Sequence, residues 1–118
     1  MKHNYGSQDP HIYHFVMPDY FHQYDEKSDY YPARFEQEGF IHCCFVEQID
    51  HVITHHFRDV DDVYILKLDQ TKILAKLIVE GEGHPLGFPH IYGPINMDAI
   101  ISREHKLLPL TESKWDKR

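Results

Sequence analysis

The chain has 118 residues, a formal net charge of −7 with neutral histidine, 11 histidines and two cysteines. This length predicts a single domain, because about 100–150 residues is the commonest domain size. The negative charge argues against a protein that coats nucleic acid, which needs a basic face, but it leaves room for a compact site that binds a phosphorylated small molecule.

The sequence predicts no membrane-spanning helix and no signal peptide. No apolar run approaches the ~20 residues that span a bilayer, and residues 1–10 lack the apolar stretch of a signal peptide. Cys43 and Cys44 are adjacent, so a disulfide between them would be strained, and we expect both to be reduced in a cytoplasmic protein. Residues 1–10 and 111–118 are polar and are predicted to be flexible tails, although Trp115 could dock on the body.

The first half of the chain is predicted to alternate short strands and helices. Residues 12–17 are strand-like and are followed by Pro18, a residue typical of the first turn of a helix. Gly39 precedes a second predicted strand at residues 40–45. Apolar residues then recur at helical spacing through residues 46–57, which predicts an amphipathic helix.

The second half is predicted to consist mostly of strands. The strand-like segments are residues 63–68, 75–80, 91–94, 98–102 and 105–110. A loop with three glycines and a proline separates the second segment from the third at residues 81–87. Because no helical crossovers lie between these strands, the chain is predicted to be an α+β domain with a mainly antiparallel sheet.

Three histidines lie between strand-forming neighbours in separate segments: His14, His42 and His90. Such a ring points into a sheet or a cleft, where an unpartnered nitrogen is costly, so each needs a hydrogen-bond partner, a metal or a ligand. Their recurrence along one small chain predicts a shared polar cleft.

His42 precedes the predicted helix and shares a strand face with Cys44. The start of that helix leaves backbone N–H groups that could hold a phosphate beside His42. The alternative is a buried histidine bonded to a backbone carbonyl. Cysteine nucleophile chemistry is the weaker interpretation here, because apolar neighbours raise the pKa of a thiol.

The segment from Pro89 to Pro94 is predicted to form a rigid wall of the cleft. Two prolines fix the backbone around His90 and Tyr92, and Gly93 permits a close turn. Preset backbone that carries polar aromatic groups is typical of a binding site. The alternative is a β-turn with packed aromatic rings.

A histidine-based metal site is a further alternative. His51 and His55 are four residues apart on the predicted helix, but two ligands do not make a site. A metal centre would need three or more of five other histidines to converge: His11, His14, His42, His90 and His105.

Four segments together resemble the DUF952 family, a group of small bacterial proteins of unknown function. They are Ile12-Tyr13-His14, Glu38-Gly39-Phe40-Ile41-His42-Cys43, Glu47-Gln48 and Pro89-His90-Ile91-Tyr92-Gly93-Pro94. The resemblance runs over about residues 11–108. The family pattern continues His-Cys-Ser-Thr, whereas this chain has Cys44 and Phe45, so a hydroxyl that could cap the helix is missing.

The resemblance implies an ADP-ribosyltransferase-like fold, with a split antiparallel sheet, one or two early helices and a cleft of the size of NAD. His14 matches the position that contacts a ribose, and His42 the one near the nicotinamide. The other predicted ligand contacts are Tyr13, Cys44, His90, Tyr92 and Gly93. ADP-ribosyl transfer generally uses a late glutamate, and the late motif of this chain contains no acidic residue.

We therefore predict a domain that binds a nucleotide-type ligand: NAD as a substrate, ADP-ribose or a phosphorylated ribose. If it is an enzyme, the reaction is ribosyl or phosphoryl transfer, with His14 orienting the ribose and His42 acting as acid or base. The alternatives are a non-catalytic binding or regulatory module and the histidine-based metal protein. The protein is expected to be a monomer or a weak dimer.

Overall fold

The computed structural model describes residues 9–23, 29–32, 35–81 and 85–108. The predicted tails therefore lie outside the described residues, apart from residues 9 and 10, and so does Trp115. Residues 82–84 of the glycine-containing loop also lie outside them.

Six strands and three short α-helices follow one another along the chain. They are β1 (His11–Val16), α1 (Pro18–Phe21), α2 (Phe35–Glu38), β2 (Ile41–His42), α3 (Ile49–His56), β3 (Asp62–Asp69), β4 (Lys76–Glu80), β5 (Phe88–Tyr92) and β6 (Ile100–Leu107). Single 3₁₀ turns precede α3, β4 and β6. The strand before Pro18, the helix that begins there and the helix after the second strand are confirmed.

The strands form two antiparallel sheets of three strands each. The first sheet has the order β1-β3-β6, and the second has the order β2-β5-β4. The predicted α+β class with mainly antiparallel pairing is therefore confirmed.

The central strand of the first sheet, β3, is buried on both faces, as its continuous apolar run predicts. Val63 and Ile65 pack against the apolar face of α3, while Leu66 and Leu68 face the second sheet. β1 alternates between partly and fully buried residues, which is the period-2 pattern of a strand with one face on a core.

The main core lies between the two sheets. Ile12 and Leu66 of the first sheet and Ile41 and Ile91 of the second belong to one cluster and are completely buried. In each strand of the second sheet, the residues that alternate with these core residues point away from the core. The opposite face of this sheet therefore carries polar and aromatic side chains.

The two sheets meet at a pair of backbone hydrogen bonds. The N–H of Tyr13 donates to the carbonyl oxygen of Cys44, and the N–H of Cys44 donates to the carbonyl oxygen of Tyr13, both over 2.8 Å. This pairing brings β1 alongside the residues that follow β2.

The late part of the chain differs from the sequence prediction. The segments at residues 98–102 and 105–110 were predicted as separate strands, but Met97–Ala99 is a 3₁₀ turn and Ile100–Leu107 is one continuous strand. β3 is eight residues long and pairs with β6 along its length, with one register shift at Lys67 and Leu68. Pairing with this long neighbour joins the two segments.

A buried glutamine joins the start of the helical segment to the loop before β5. Gln48 is completely buried. Its Oε1 accepts a hydrogen bond from the backbone N–H of Phe45 over 2.8 Å, and its Nε2 donates to the carbonyl oxygen of Gly87 over 2.7 Å. Gly87 has a φ of 73°, and a Cβ there would lie 2.9 Å from a side-chain carbon of Val79. The loop therefore needs glycine as well as the glutamine contact.

The substitution Gln48→Ala is expected to lower the free energy of unfolding by about 2–4 kcal/mol. It leaves the N–H of Phe45 and the carbonyl of Gly87 without their side-chain partner in a buried place, and each such loss costs roughly 1–3 kcal/mol. Urea unfolding measures the change. The matched control is Gln37→Ala, because Gln37 is exposed in α2, and it should change stability by less than about 0.5 kcal/mol. Equal effects of the two substitutions would contradict this role.

Candidate functional site

The candidate site is the outer face of the second sheet. β2 pairs with β5 so that His42 lies opposite His90, and β5 pairs with β4 so that His90 lies opposite Ile78. The neighbouring residues Ile41 and Ile91 point into the core. Strand alternation therefore puts both histidines on the solvent side of the sheet.

A carboxylate from β4 organises this face. Oε1 of Glu80 accepts a hydrogen bond from Nδ1 of His90 over 2.7 Å and one from the hydroxyl of Tyr92 over 2.5 Å. The hydrogen bonds from Tyr92 and His90 lower the pKa of Glu80, and the same contact with Glu80 raises the pKa of Tyr92. An ionised Glu80 thus fixes the orientation of both neighbours.

The contact with Glu80 also fixes the tautomer of His90. A carboxylate oxygen can only accept, so Nδ1 of His90 carries the proton, and in the neutral ring Nε2 holds the lone pair. Among the described residues, Nε2 of His90 has no hydrogen-bond partner. This nitrogen is therefore the one available to accept a proton from a ligand.

An aromatic ring covers part of the site. Phe40 stacks on His90 with a centroid distance of 4.2 Å, and it also contacts His42 and Tyr92 at 4.7 and 5.4 Å. The His90 side chain is consequently only 15% exposed although it lies on the outer face. Phe40 limits the freedom of His90 and lowers the access of water to the contact with Glu80.

His42 is the accessible member of the histidine pair. Its side chain is 58% exposed, and its Nε2 lies 3.4 Å from Oε2 of Glu38 at the end of α2. The rings of His42 and His90 meet edge to face, with centroids 5.2 Å apart. Two imidazoles so placed can serve one ligand, one taking a proton while the other gives one.

His14 lies on the other side of β2, inside the core. Its Nδ1 donates to the carbonyl oxygen of His42 over 2.8 Å, and its Nε2 accepts from the hydroxyl of Tyr30 over 3.1 Å. The side chain is buried, and burial lowers the pKa of His14 to about 4, although the hydrogen bond to the His42 carbonyl opposes this shift. The ring is therefore neutral at neutral pH, with both nitrogens bonded within the protein.

Tyr13 and Cys44 lie at the junction of the two sheets rather than on the outer face. The side chain of Tyr13 packs on the α3 side of the first sheet, and burial raises its pKa. Cys43 and Cys44 are free and buried, and burial raises the pKa of Cys44 to about 12 and that of Cys43 well above its usual range. Neither thiol ionises near neutral pH, so neither is suited to act as a nucleophile.

Gly93 follows β5 and packs closely against Ala75, the residue directly before β4. A Cβ at this position would lie 2.7 Å from the Cβ of Ala75. The glycine thus allows the chain after Tyr92 to pass directly over the start of the neighbouring strand. It keeps Tyr92 aligned with β4 and hence with Glu80.

The structure brings together three of the seven predicted site residues: His42, His90 and Tyr92. His14, Tyr13 and Cys44 lie behind or beside this group, Gly93 supports it, and the ligand contacts assigned to all seven stay predictions. The residues that sequence reasoning missed are Phe40, Glu38 and Glu80. The signal for Glu80 was present, because two strands around the loop at residues 81–87 predict an antiparallel hairpin that sets Glu80 beside the late motif.

Four other histidines within the described ranges lie elsewhere. His11 contacts Asp9, His105 contacts Asp62, and His51 and His55 stack on each other on α3 at 4.0 Å. In the part of the chain that the structure describes, no group of three His, Cys, Asp or Glu side chains is placed to hold a metal ion.

A family model described as "Protein of unknown function (DUF952)" matches residues 15–103, which is most of the chain. The chain belongs to the DUF952 family. Two crystal structures of protein CC0527 from Caulobacter crescentus, one of them a double mutant, are similar to this DUF952 protein, with a TM-score of 0.76 and 20% sequence identity. The alignment covers 84% of this chain and 88% of that one, and at this identity it shows a shared fold alone.

None of the curated proteins matches this DUF952 protein. Within the described ranges, no helix combines the length and the apolar character that crossing a bilayer requires.

The burial of His14 predicts a specific pH dependence of stability. The unfolded chain takes up a proton near the ordinary pKa of 6.5, whereas the folded chain does so only near 4. Below pH 6.5 the unfolded state therefore binds more protons, so the contribution of His14 to stability falls as the pH drops and has lost about 3 kcal/mol once the pH is below 4. Urea unfolding from pH 7 to pH 4 measures this loss.

The variant His14→Gln should reduce the slope of stability against pH between 6 and 4 by up to about 1.4 kcal/mol per pH unit. Ile12→Val is the matched control, because it shortens a buried residue of the same strand without removing a titratable group. A slope that is the same in His14→Gln and in the unmodified protein would show that His14 is accessible to protons in the folded state.

Proposed function

We propose that this protein binds a nucleotide-type ligand, carrying a phosphorylated ribose, on the outer face of its second sheet. The observation that carries the proposal is the contact of Glu80 with His90 beside the accessible ring of His42. A carboxylate that orients one imidazole next to a second imidazole is an arrangement suited to proton transfer.

The charges of this face suit a phosphorylated group. Lys76 pairs with Tyr92 across β4 and β5 and is exposed on the same face as the two histidines. Lys76 and protonated His42 are cationic donors for phosphate oxygens. The carboxylate of Glu80 is occupied by His90 and Tyr92, which limits its repulsion of a bound anion.

If the protein is an enzyme, the proposed reaction is group transfer at this site. For phosphoryl transfer, Nε2 of His90 accepts the proton of an attacking hydroxyl as its oxygen bonds to phosphorus. Protonated His42 gives a proton to the leaving oxygen as the old P–O bond breaks. For ribosyl transfer from NAD as a substrate, Glu80 supplies the carboxylate that the resemblance expects near developing positive charge at the anomeric carbon.

An ADP-ribosyltransferase-like arrangement is part of the same proposal. Two antiparallel three-stranded sheets that meet at Tyr13 and Cys44 support it. We assign His14 a positioning role behind β2, because a direct contact of its ring with a ribose requires one of its two hydrogen bonds to open. A cytoplasmic location and a monomeric or weakly dimeric state belong to the proposal as well.

A binding or regulatory module without catalysis is the second candidate. It is favoured by the closed hydrogen bonding of His14, since that ring offers no nitrogen to a ligand in this state. Such a module uses the outer face for recognition only. Ligand affinity and turnover separate the two candidates.

The ligand is expected to raise the melting temperature of the untagged protein. NAD, ADP-ribose and a nucleotide with a ribose 2′-phosphate are titrated, and the one that binds should add about 2.7 kcal/mol of stability at 100 times its dissociation constant. For a domain of this size that is a shift on the order of 10 °C. The variants His42→Ala and Lys76→Gln should lose most of the shift. His55→Ala should keep it, because His55 is an exposed residue of α3, away from the proposed site. No shift with any of the three, or shifts equal in all variants, contradicts the proposed site.

Glu80→Gln separates catalysis from binding. Glutamine keeps the size of the side chain and removes the charge that orients His90, so an enzyme should lose rate by roughly 10²–10⁴-fold while the ligand still produces a melting shift. Transfer from the ligand identified above is measured in a single-turnover assay. Binding by the unmodified protein without any turnover would favour the non-catalytic module.

A further inference from the structure

A second cluster of polar side chains surrounds Tyr64 on the inner face of the first sheet. Leu66 and Tyr64 of β3 pair with Arg103 and His105 of β6, so all four lie on one side of that sheet. His22, directly after α1, contacts the hydroxyl of Tyr64. Arg103, His105 and His22 are exposed, while Tyr64 is buried.

The guanidinium of Arg103 is held by rings and leaves its donors open. Its Cζ lies 4.7 Å from the centroid of Tyr64 and 5.9 Å from that of Phe21. Among the described residues, Arg103 has neither a hydrogen bond nor an ion pair. Stacking on aromatic faces orients an arginine without using its five N–H groups, which match the oxygens of a phosphate or a carboxylate.

Two histidines, His22 and His105, lie beside Tyr64. Nε2 of His22 lies 2.7 Å from the hydroxyl of Tyr64, and its Nδ1 has no partner within the described ranges. The ring of His105 meets Tyr64 edge to face at 5.3 Å and is paired through Nε2 with Asp62 over 2.7 Å. The carboxylate of Asp62 is thus engaged by His105, and among the described residues no carboxylate is within ion-pair distance of Arg103.

We infer that Arg103 and His22 form a site for the phosphate group of a small ligand. The chain as a whole carries a net charge of −7, so an arginine that has no acidic partner among the described residues is a local exception that an anion would satisfy. A phosphate is favoured over a carboxylate, because its additional oxygen can accept from Nδ1 of His22 while two others meet the guanidinium fork. This site is on the first sheet and does not depend on the function proposed for the second.

The test is an NMR titration of the full chain with inorganic phosphate and, separately, with acetate. Saturable shifts of the Arg103 Nε–H signal and of the His22 ring signals are expected with phosphate, at a concentration at least tenfold lower than with acetate. Arg103→Met keeps an unbranched side chain over Tyr64 but removes the donors, so the phosphate affinity should fall by tenfold or more. Arg103→Lys should restore only part of it, because an ammonium cannot form the two-pronged contact.

Lys106→Gln is the matched control. It removes the same charge from the next-but-two residue of the same strand, on the opposite face of the sheet, beside Val63. Its phosphate affinity should equal that of the unmodified protein. Equal losses in Arg103→Met and Lys106→Gln, shifts that do not saturate, or acetate binding as tight as phosphate would each overturn the inference. His42→Ala should bind inorganic phosphate at this site unchanged, which separates the result from any failure of the proposed function.

Discussion

The hydrogen bond from the buried ring of His14 to the carbonyl oxygen of His42 is the contact that the candidate site depends on. β2 has two residues, too few to hold a position by pairing alone. The bond attaches β2 to the first sheet, next to the two backbone bonds between Tyr13 and Cys44. Leaving that carbonyl or the ring nitrogen without a partner inside the core would cost about 1–3 kcal/mol for each group, so the arrangement resists displacement.

Holding the backbone of His42 from the inside leaves its side chain on the outside. Because side chains alternate along a strand, Ile41 enters the core and His42 faces solvent. His90, the cross-strand neighbour of His42, lies on the same face. The buried ring of His14 and the exposed ring of His42 therefore lie on opposite sides of β2. The neutral ring of His14, bonded at both nitrogens, fixes the backbone of His42, whereas the ring of His42 is accessible and lies beside Glu38.

Several local elements are predicted correctly because their signals are local, although the strand predicted at residues 40–45 is reduced to Ile41–His42. The apolar run of β3, the helical spacing after residue 46 and the proline after β1 each specify structure within a few residues. The role of His14 was harder to predict, since a histidine between apolar neighbours reads the same whether it binds a ligand or a backbone carbonyl. Glu80 was missed for a different reason: its partner His90 is ten residues away, and only the register of the hairpin around Gly87 brings the two together.

The presence or absence of a carboxylate distinguishes the two polar clusters of this molecule. On the second sheet, Glu80 accepts hydrogen bonds from His90 and Tyr92, so a carboxylate is part of the cluster and orients both side chains. On the first sheet, aromatic rings rather than an acid hold Arg103, so the positive charge is left for something outside the described residues to neutralise. A carboxylate that accepts hydrogen bonds orients its neighbours, whereas a guanidinium without an acidic partner among the described residues favours binding of an anion. The two sheets, joined through His14, thus present two different electrostatic surfaces. The net charge of the chain does not distinguish them.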